Sequence, residues 1–170
     1  NKVINGKKIV LDKTIFYYTS GGQPHDTGII RNSDNQEFKV LNVYKESGKI
    51  IHEVDKEGLK QEDKIFGMID WFRRYNLMRT HTAAHLISEV IHRETKALIT
   101  GNQLSENKIR IDFSLENFNK EELQHYIEET NKIIKQDLPI NTEFLSREKA
   151  LEIPQISKLA IGLPESLKEV

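Results

Sequence analysis

The stretch Arg79-Thr80-His81-Thr82-Ala83-Ala84-His85-Leu86-Ile87 decides how the second half of the chain folds. Apolar residues in and around it recur at a helical period: Leu77, Ala84, Ile87 and Ile91. This period predicts one long helix over about residues 70–95. Residues four apart lie on one face of a helix, so the imidazoles of His81 and His85 project together, with Cβ atoms about 6 Å apart. Two neutral imidazoles in that arrangement can hold a divalent metal ion, usually zinc.

The histidine pair does not define a site by itself. A chain with six histidines contains some pair at this spacing by chance in about one case in five. A metalloprotease would also place a glutamate directly after the first histidine, and Thr82 occupies that position here. The pair becomes informative only together with a second unusual segment.

That segment reads Phe16-Tyr17-Tyr18-Thr19-Ser20-Gly21-Gly22-Gln23-Pro24-His25-Asp26-Thr27-Gly28 and contains three of the nine glycines. Paired glycines allow positive φ angles and let a ligand approach the main chain closely. Strand-like residues flank the segment at 8–11 and 28–30. Two interpretations remain open at this point: a decorated hairpin turn, or a loop that binds a ligand.

Together the two segments resemble a known family. Residues 16–28 are similar to the glycine-rich motif of the alanyl-tRNA synthetase editing-domain family, and residues 79–86 are similar to its histidine-pair helix. The resemblance extends to residues 100–103 and 110–113, in the family's order and over most of the chain. The freestanding, AlaX-type trans-editing proteins are the most similar form.

The resemblance implies hydrolytic deacylation of mischarged tRNA, chiefly of serine on alanine tRNA, with glycine left open as a second substrate. It also implies a zinc ion bound by His81 and His85. Zinc could lower the pKa of a bound water or polarise the ester carbonyl, and the sequence does not choose between these roles. Because a catalytic zinc normally has three protein ligands, we expect the remaining ligand beyond Val170, and the chain to be a fragment.

Further site residues follow from the same motifs. Gln23 is the candidate for orienting the ester, and the backbone N–H groups of Gly21 and Gly22 are candidates for binding the developing oxyanion. Thr27 is the candidate for binding the serine hydroxyl, with a turn threonine as the alternative. Gln103 either reaches the substrate from a loop or simply shapes that loop.

Composition is that of a globular protein, with 30% charged and 37% hydrophobic residues. This composition agrees with a cytoplasmic enzyme, no apolar run approaches the length needed to span a membrane, and the family resemblance implies tRNA as its partner; the sequence does not predict the oligomeric state. The chain has no cysteine, which excludes thiolate ligands within it. Its net charge of −1 means that RNA binding requires a local basic patch. Candidates for this patch are Arg73, Arg74, Arg79, His92, Arg93 and Lys96.

The pattern predicts an α+β protein of two domains. Residues 1–70 contain short strands and regularly spaced turns, which favour a small antiparallel barrel or sandwich, and we expect the β-barrel. Residues 71–170 are expected to form a two-layer α/β editing domain that binds the metal, incomplete at its C-terminus. Its predicted elements after the first helix are a strand at 109–113, a helix at 119–136, a strand at 141–146 and a short helix at 147–151. The alternative function is a non-catalytic tRNA-binding module with an incomplete metal site.

Overall fold

The computed structural model describes residues 2–117, 119–153, 156, 157 and 159. Six strands come first, followed by a long helix, two further strands and two helices. In chain order these elements are β1 (Lys2–Val3), β2 (Lys8–Val10), β3 (Gly28–Asn32), β4 (Glu37–Glu46), β5 (Lys49–Val54), β6 (Ile65–Ile69), α1 (Trp71–Thr95), β7 (Ile99–Leu104), β8 (Ile109–Phe113), α2 (Lys120–Ile134) and α3 (Arg147–Glu152).

The first six strands form one antiparallel sheet with the order β1-β2-β5-β4-β3-β6. In β4, Phe38 and Val40 are buried and alternate with exposed neighbours, as expected for a strand with one face on the core. The register shifts between Val40 and Asn42, where a bulge bends the strand. The core under this sheet consists of Ile9, Phe16, Ile30, Phe38, Val40, Val43, Val54 and Leu59.

The prediction of an antiparallel β region is confirmed, but its closure into a barrel is not. Among the described strands, β1 and β6 are the two edges of the sheet and do not pair with each other. Turn spacing predicts how many strands there are. Closure into a barrel depends on the tilt of the strands and on the register shift accumulated around the sheet. The spacing of turns in the sequence predicts neither of these.

The chain divides into two compact units. The first ends at Thr80 and also includes Gln103–Lys108, whereas the second contains His81–Asn102 and the chain from Ile109 onward. The predicted domain boundary between residues 70 and 71 stays a prediction. No helix within the described ranges is long and apolar enough to cross a membrane.

In the second unit, β7 and β8 form a two-stranded sheet, and α1 and α2 share a core with β8. The predicted start of α2 is confirmed by a capping box. The Asn119 side chain accepts a hydrogen bond from the backbone N–H of Glu122, and the Glu122 carboxylate accepts one from the backbone N–H of Asn119. The residues of this core are Val90, Ile91, Ala97 and Tyr126, with Ile87, Phe113, Leu115 and Ile133 packed against them.

Three sequence-based expectations for the second half need correction. The apolar pattern predicts that Leu123, Ile127, Ile133 and Ile134 form the buried stripe of α2. Instead, Tyr126 and Thr130 are its buried residues, and Ile127 and Ile134 are exposed. No strand forms at residues 141–145, where the chain runs without regular structure into α3. Strand β7 was not predicted, because Thr100-Gly101-Asn102-Gln103 reads as a loop by composition. The last part of the predicted editing domain, residues 160–170, lies outside the described residues.

Candidate active site

The glycine-rich segment turns sharply at its two central glycines. Ser20 and Gln23 exchange two backbone hydrogen bonds of 3.1 and 2.9 Å across the turn. Between them, Gly21 and Gly22 have φ angles of 57° and 80°, which residues with a Cβ rarely adopt. The predicted positive φ angles are therefore confirmed.

The turn is fixed to the end of strand β7. The backbone N–H of Leu104 donates a 2.8 Å hydrogen bond to the carbonyl of Gly22. The preceding residue, Gln103, is exposed and lies on that strand, not in a loop as the sequence suggested. Gln23 itself is only 5% exposed, so its side chain is held within the unit. A buried amide in this position is suited to maintaining the shape of the turn.

A buried carboxylate anchors the second half of the segment. Asp26 is fully buried and accepts a 2.7 Å hydrogen bond from the backbone N–H of Tyr17. The guanidinium of Arg74, on the first turn of α1, binds both carboxylate oxygens and also donates to the carbonyl of Ile15. Nothing local in the sequence indicates that Asp26 has a partner 48 residues away.

The neighbouring arginine makes a second connection to the same segment. Arg73 donates to the carbonyl of His25 from two guanidinium nitrogens, at 3.3 and 3.1 Å, and forms an ion pair with Glu106. The ring of His25 hydrogen-bonds the carbonyl of Leu41 and the hydroxyl of Thr19. Arg73 and Arg74 therefore hold the glycine-rich segment, which corrects their assignment to a solvent-facing basic patch.

Thr27 lies where the segment enters strand β3. Its carbonyl accepts a 2.8 Å hydrogen bond from the backbone N–H of Asp70, and its side chain is half-buried. It lines an open groove of about 500 Å³ in the first unit. The groove is otherwise formed by Gly28, Ile29, Lys39, Val40, Leu41, Met68, Ile69 and Asp70. A hydroxyl in this position can hydrogen-bond a small polar group in the groove.

In the second unit, the imidazoles of His81 and His85 project together from α1, as predicted. Their ring centroids are 5.0 Å apart and the planes differ by 11°. Burial, followed by the nearby His85, lowers the pKa of His81, which favours the neutral form that binds metal. The pair therefore fits as two ligands of one zinc ion. Within the described residues, no group of three histidine, aspartate or glutamate side chains could hold a metal ion. The third ligand expected beyond Val170 stays a prediction.

The remaining histidines have structural surroundings. His92, expected to face solvent or RNA, is instead buried, and its Nδ1 lies 2.9 Å from the carbonyl of Ala97. The α1 helix turns this residue into the core of the second unit, so it cannot belong to a basic surface patch. His52 is fully buried, as a structural histidine should be, and His125 lies on an exposed helix face beside Glu94.

Comparison with known proteins gives consistent matches. The family model described as tRNA synthetases class II (A) matches residues 1–73. The alanyl-tRNA editing protein AlaX-M of Methanosarcina barkeri is 48% identical over 99% of this chain and 72% of its own length. The AlaX-M protein of Methanosarcina mazei is 47% identical over 99% of this chain and 70% of its own length. The alanine–tRNA ligase of Methanothrix thermoacetophila is 37% identical over 84% of this chain but only 16% of that enzyme.

These relationships define the class of protein as an aminoacyl-tRNA deacylase. Within that class, the chain belongs to the AlaX family of alanyl-tRNA editing proteins. The resemblance of the glycine-rich and histidine-pair motifs to this family is confirmed.

Proposed function

We propose that the protein acts in trans on tRNA that carries the wrong amino acid, and hydrolyses the ester of serine on alanine tRNA. Glycine on the same tRNA is its proposed second substrate. The observation that carries the proposal is the parallel, closely spaced imidazole pair of His81 and His85 in a chain of the AlaX family.

The physical problem is to release serine while leaving alanine. Serine is larger by one hydroxyl, so an apolar pocket cannot reject alanine by size. A site that hydrogen-bonds the hydroxyl can reject alanine, because alanine leaves a polar group unpaired, and such sites reach factors of about 10⁴. Thr27 is the proposed hydroxyl-binding residue, supported by its place on the groove wall.

His81 and His85 are the proposed protein ligands of a zinc ion, together with a residue not yet assigned. When bound, zinc would supply Lewis-acid stabilisation of charge at the ester. Burial of His81, followed by the nearby His85, lowers the pKa of its ring and so favours the neutral form that binds metal.

The glycine-rich segment has the proposed task of orienting the substrate. Gly21 lies at an exposed turn where an added Cβ would have open space, so a substrate can approach the backbone there. Gly22 and Gln23 complete the turn, and Gln103 lies exposed on the strand that hydrogen-bonds it. Asp26 and Arg74 are positioning residues, because they fix this segment without an exposed reactive group.

The direct test is deacylation of Ser-tRNA, Gly-tRNA and Ala-tRNA, all prepared on alanine tRNA, by the full-length protein. We expect rapid release of serine, slower release of glycine and retention of alanine. Thr27→Val should abolish the preference for serine over alanine, and Thr27→Ser, which keeps a hydroxyl, should preserve it.

A non-catalytic tRNA-binding module with an incomplete metal site is the alternative function that the sequence left open. It predicts binding of alanine tRNA without release of any amino acid. Zinc stoichiometry of the full-length protein separates the two: about one ion per chain supports hydrolysis, and no bound zinc together with no release supports the module.

A further inference from the structure

Two aromatic rings and a guanidinium form a column along the first two turns of α1. The rings of Trp71 and Tyr75 are stacked, with centroids 6.2 Å apart and an interplanar angle of 25°. The guanidinium carbon of Arg79 lies 5.9 Å from the Tyr75 centroid, a cation–π contact on the same ring. We call Trp71, Tyr75 and Arg79 the aromatic column. All three belong to the first compact unit.

The column is open to solvent. Trp71 is 59% exposed and Tyr75 is 49% exposed, and Arg79 is exposed as well. Large rings in water cost free energy unless something covers them, and an exposed apolar surface of this kind marks an interaction site. From Trp71 to Arg79 the column covers nine residues, so its ends are eight steps, or about 12 Å of helix axis, apart at about 1.5 Å per residue. That length equals about three stacked nucleotide steps of about 3.4 Å each.

The charge around the column suits a polyanion. Within α1 no acidic residue occurs between Trp71 and Ser88, and the carboxylate of Asp70, which directly precedes the helix, accepts the backbone N–H of Arg73. Arg73 and Arg74 are already paired with Glu106 and Asp26, whereas Arg79 forms no ion pair within the described ranges. Arg79 is thus the free positive charge at one end of the column, and the indole is the open ring at the other.

We propose that the aromatic column binds the unpaired 3′ end of the tRNA substrate, an inference that rests on the proposed function. An unpaired base stacks on the exposed indole of Trp71, and Arg79 binds a backbone phosphate. Stacking on aromatic side chains is the usual way in which proteins hold single-stranded nucleic acid, and it tolerates any base sequence. The column gives a chain of net charge −1 the local RNA contact that it needs.

Trp71 is the single tryptophan among these 170 residues, and the difference in fluorescence between the wild type and a Trp71→Phe variant reports on it. The measurement uses the full-length protein and a single-stranded oligoribonucleotide ending in CCA, without any amino acid. We expect acrylamide to quench Trp71 in the free protein, and the oligoribonucleotide to quench it further and shield it from acrylamide. Arg79→Gln should lower the slope of log K against log salt by about one.

The kinetic arm uses deacylation of Ser-tRNA. Trp71→Ala should raise KM by about tenfold, since one lost base stack corresponds to roughly that factor, with kcat nearly unchanged. Trp71→Phe, which keeps an aromatic ring, should restore most of this loss in KM. Phe66→Ala is the matched control, because Phe66 is an exposed aromatic residue on β6 outside the column, and it should change neither constant.

Three results would overturn the inference. In the first, acrylamide fails to quench Trp71 in the full-length protein. In the second, the fluorescence of Trp71 changes with protein concentration and not with added RNA. In the third, the protein releases serine normally while RNA has no effect on Trp71 fluorescence. The first two would mean that another protein surface covers the column. Quenching by RNA in a protein that releases no serine would support the column and contradict the proposed hydrolysis, so the two proposals fail separately.

Discussion

The guanidinium of Arg74 binds both oxygens of the fully buried Asp26 carboxylate, which links the first turn of α1 to the glycine-rich segment. The same carboxylate accepts the backbone N–H of Tyr17, and Arg74 also donates to the carbonyl of Ile15. One ion pair therefore fixes both ends of the segment that carries the candidate substrate-binding residues. Shape in this segment depends on a contact between distant parts of the sequence.

Replacing Arg74 by methionine should destabilise the protein by about 3–5 kcal/mol, because it leaves a buried carboxylate without its positive partner. Urea unfolding of the variant measures this loss. Arg31→Met is the matched control, since Arg31 and Glu37 form an exposed ion pair at 2.8 Å whose contribution should be about 0–1 kcal/mol. Equal losses in the two variants would show that the Asp26 contact is no stronger than a surface pair.

Gly28→Ala should cost about 3 kcal/mol of stability. A Cβ at this position would lie 2.1 Å from the backbone carbonyl oxygen of Met68, which cannot retreat without disturbing the pairing of β3 with β6. In Gly21→Ala the added methyl would contact nothing within 4 Å. The only cost in stability, about 1 kcal/mol, would come from placing alanine at the positive φ of residue 21. Thermal unfolding of both variants compares the two, and a larger loss for Gly21→Ala would contradict this packing argument.

His52 should make stability depend on pH. Burial lowers its pKa below the ordinary value of 6.5, partly opposed by its hydrogen bond to the carbonyl of Ile9. Nδ1 donates to that carbonyl, so in the neutral ring Nε2 accepts from the Thr14 hydroxyl, 2.8 Å away. The unfolded chain binds a proton near pH 6.5 and the folded protein does so only at lower pH. The protonation of His52 therefore does not affect the free energy of unfolding above pH 6.5. Below pH 6.5 this free energy decreases as the pH falls, by at most about 1.4 kcal/mol per pH unit.

Denaturant unfolding between pH 7.5 and 5 tests this dependence. His52→Gln should reduce the pH-dependent loss of stability, because it removes the buried imidazole. Should the wild type and His52→Gln show the same dependence, protonation of His52 would not be its source.

Local sequence signals predicted much of the fold. Strand β8 occurs at residues 109–113, as predicted, because a short apolar run between turn residues specifies a strand locally. The long helix and the Asn119 cap follow from period and capping chemistry, which are also local. Strand β7 was missed because its Thr-Gly-Asn-Gln run has loop composition, and its conformation comes from pairing with β8.

Local sequence signals predicted only part of the candidate site. Helical spacing correctly predicted that His81 and His85 share a face, because both lie on one element. The bond between Asp26 and Arg74 joins residues 48 positions apart, and no local pattern specifies such a contact. His92 is buried because of the side on which α1 packs against α2. This packing is a tertiary contact, which the sequence around His92 does not predict.

The most direct test of the central claim is single-turnover deacylation of serine on alanine tRNA by the full-length protein and by His81→Ala, with zinc content and unfolding measured on both samples. We predict that the wild type releases serine and holds about one zinc ion, and that the variant loses both properties while retaining a cooperative unfolding transition. Serine release by a folded, zinc-free His81→Ala variant at the wild-type rate would contradict the account.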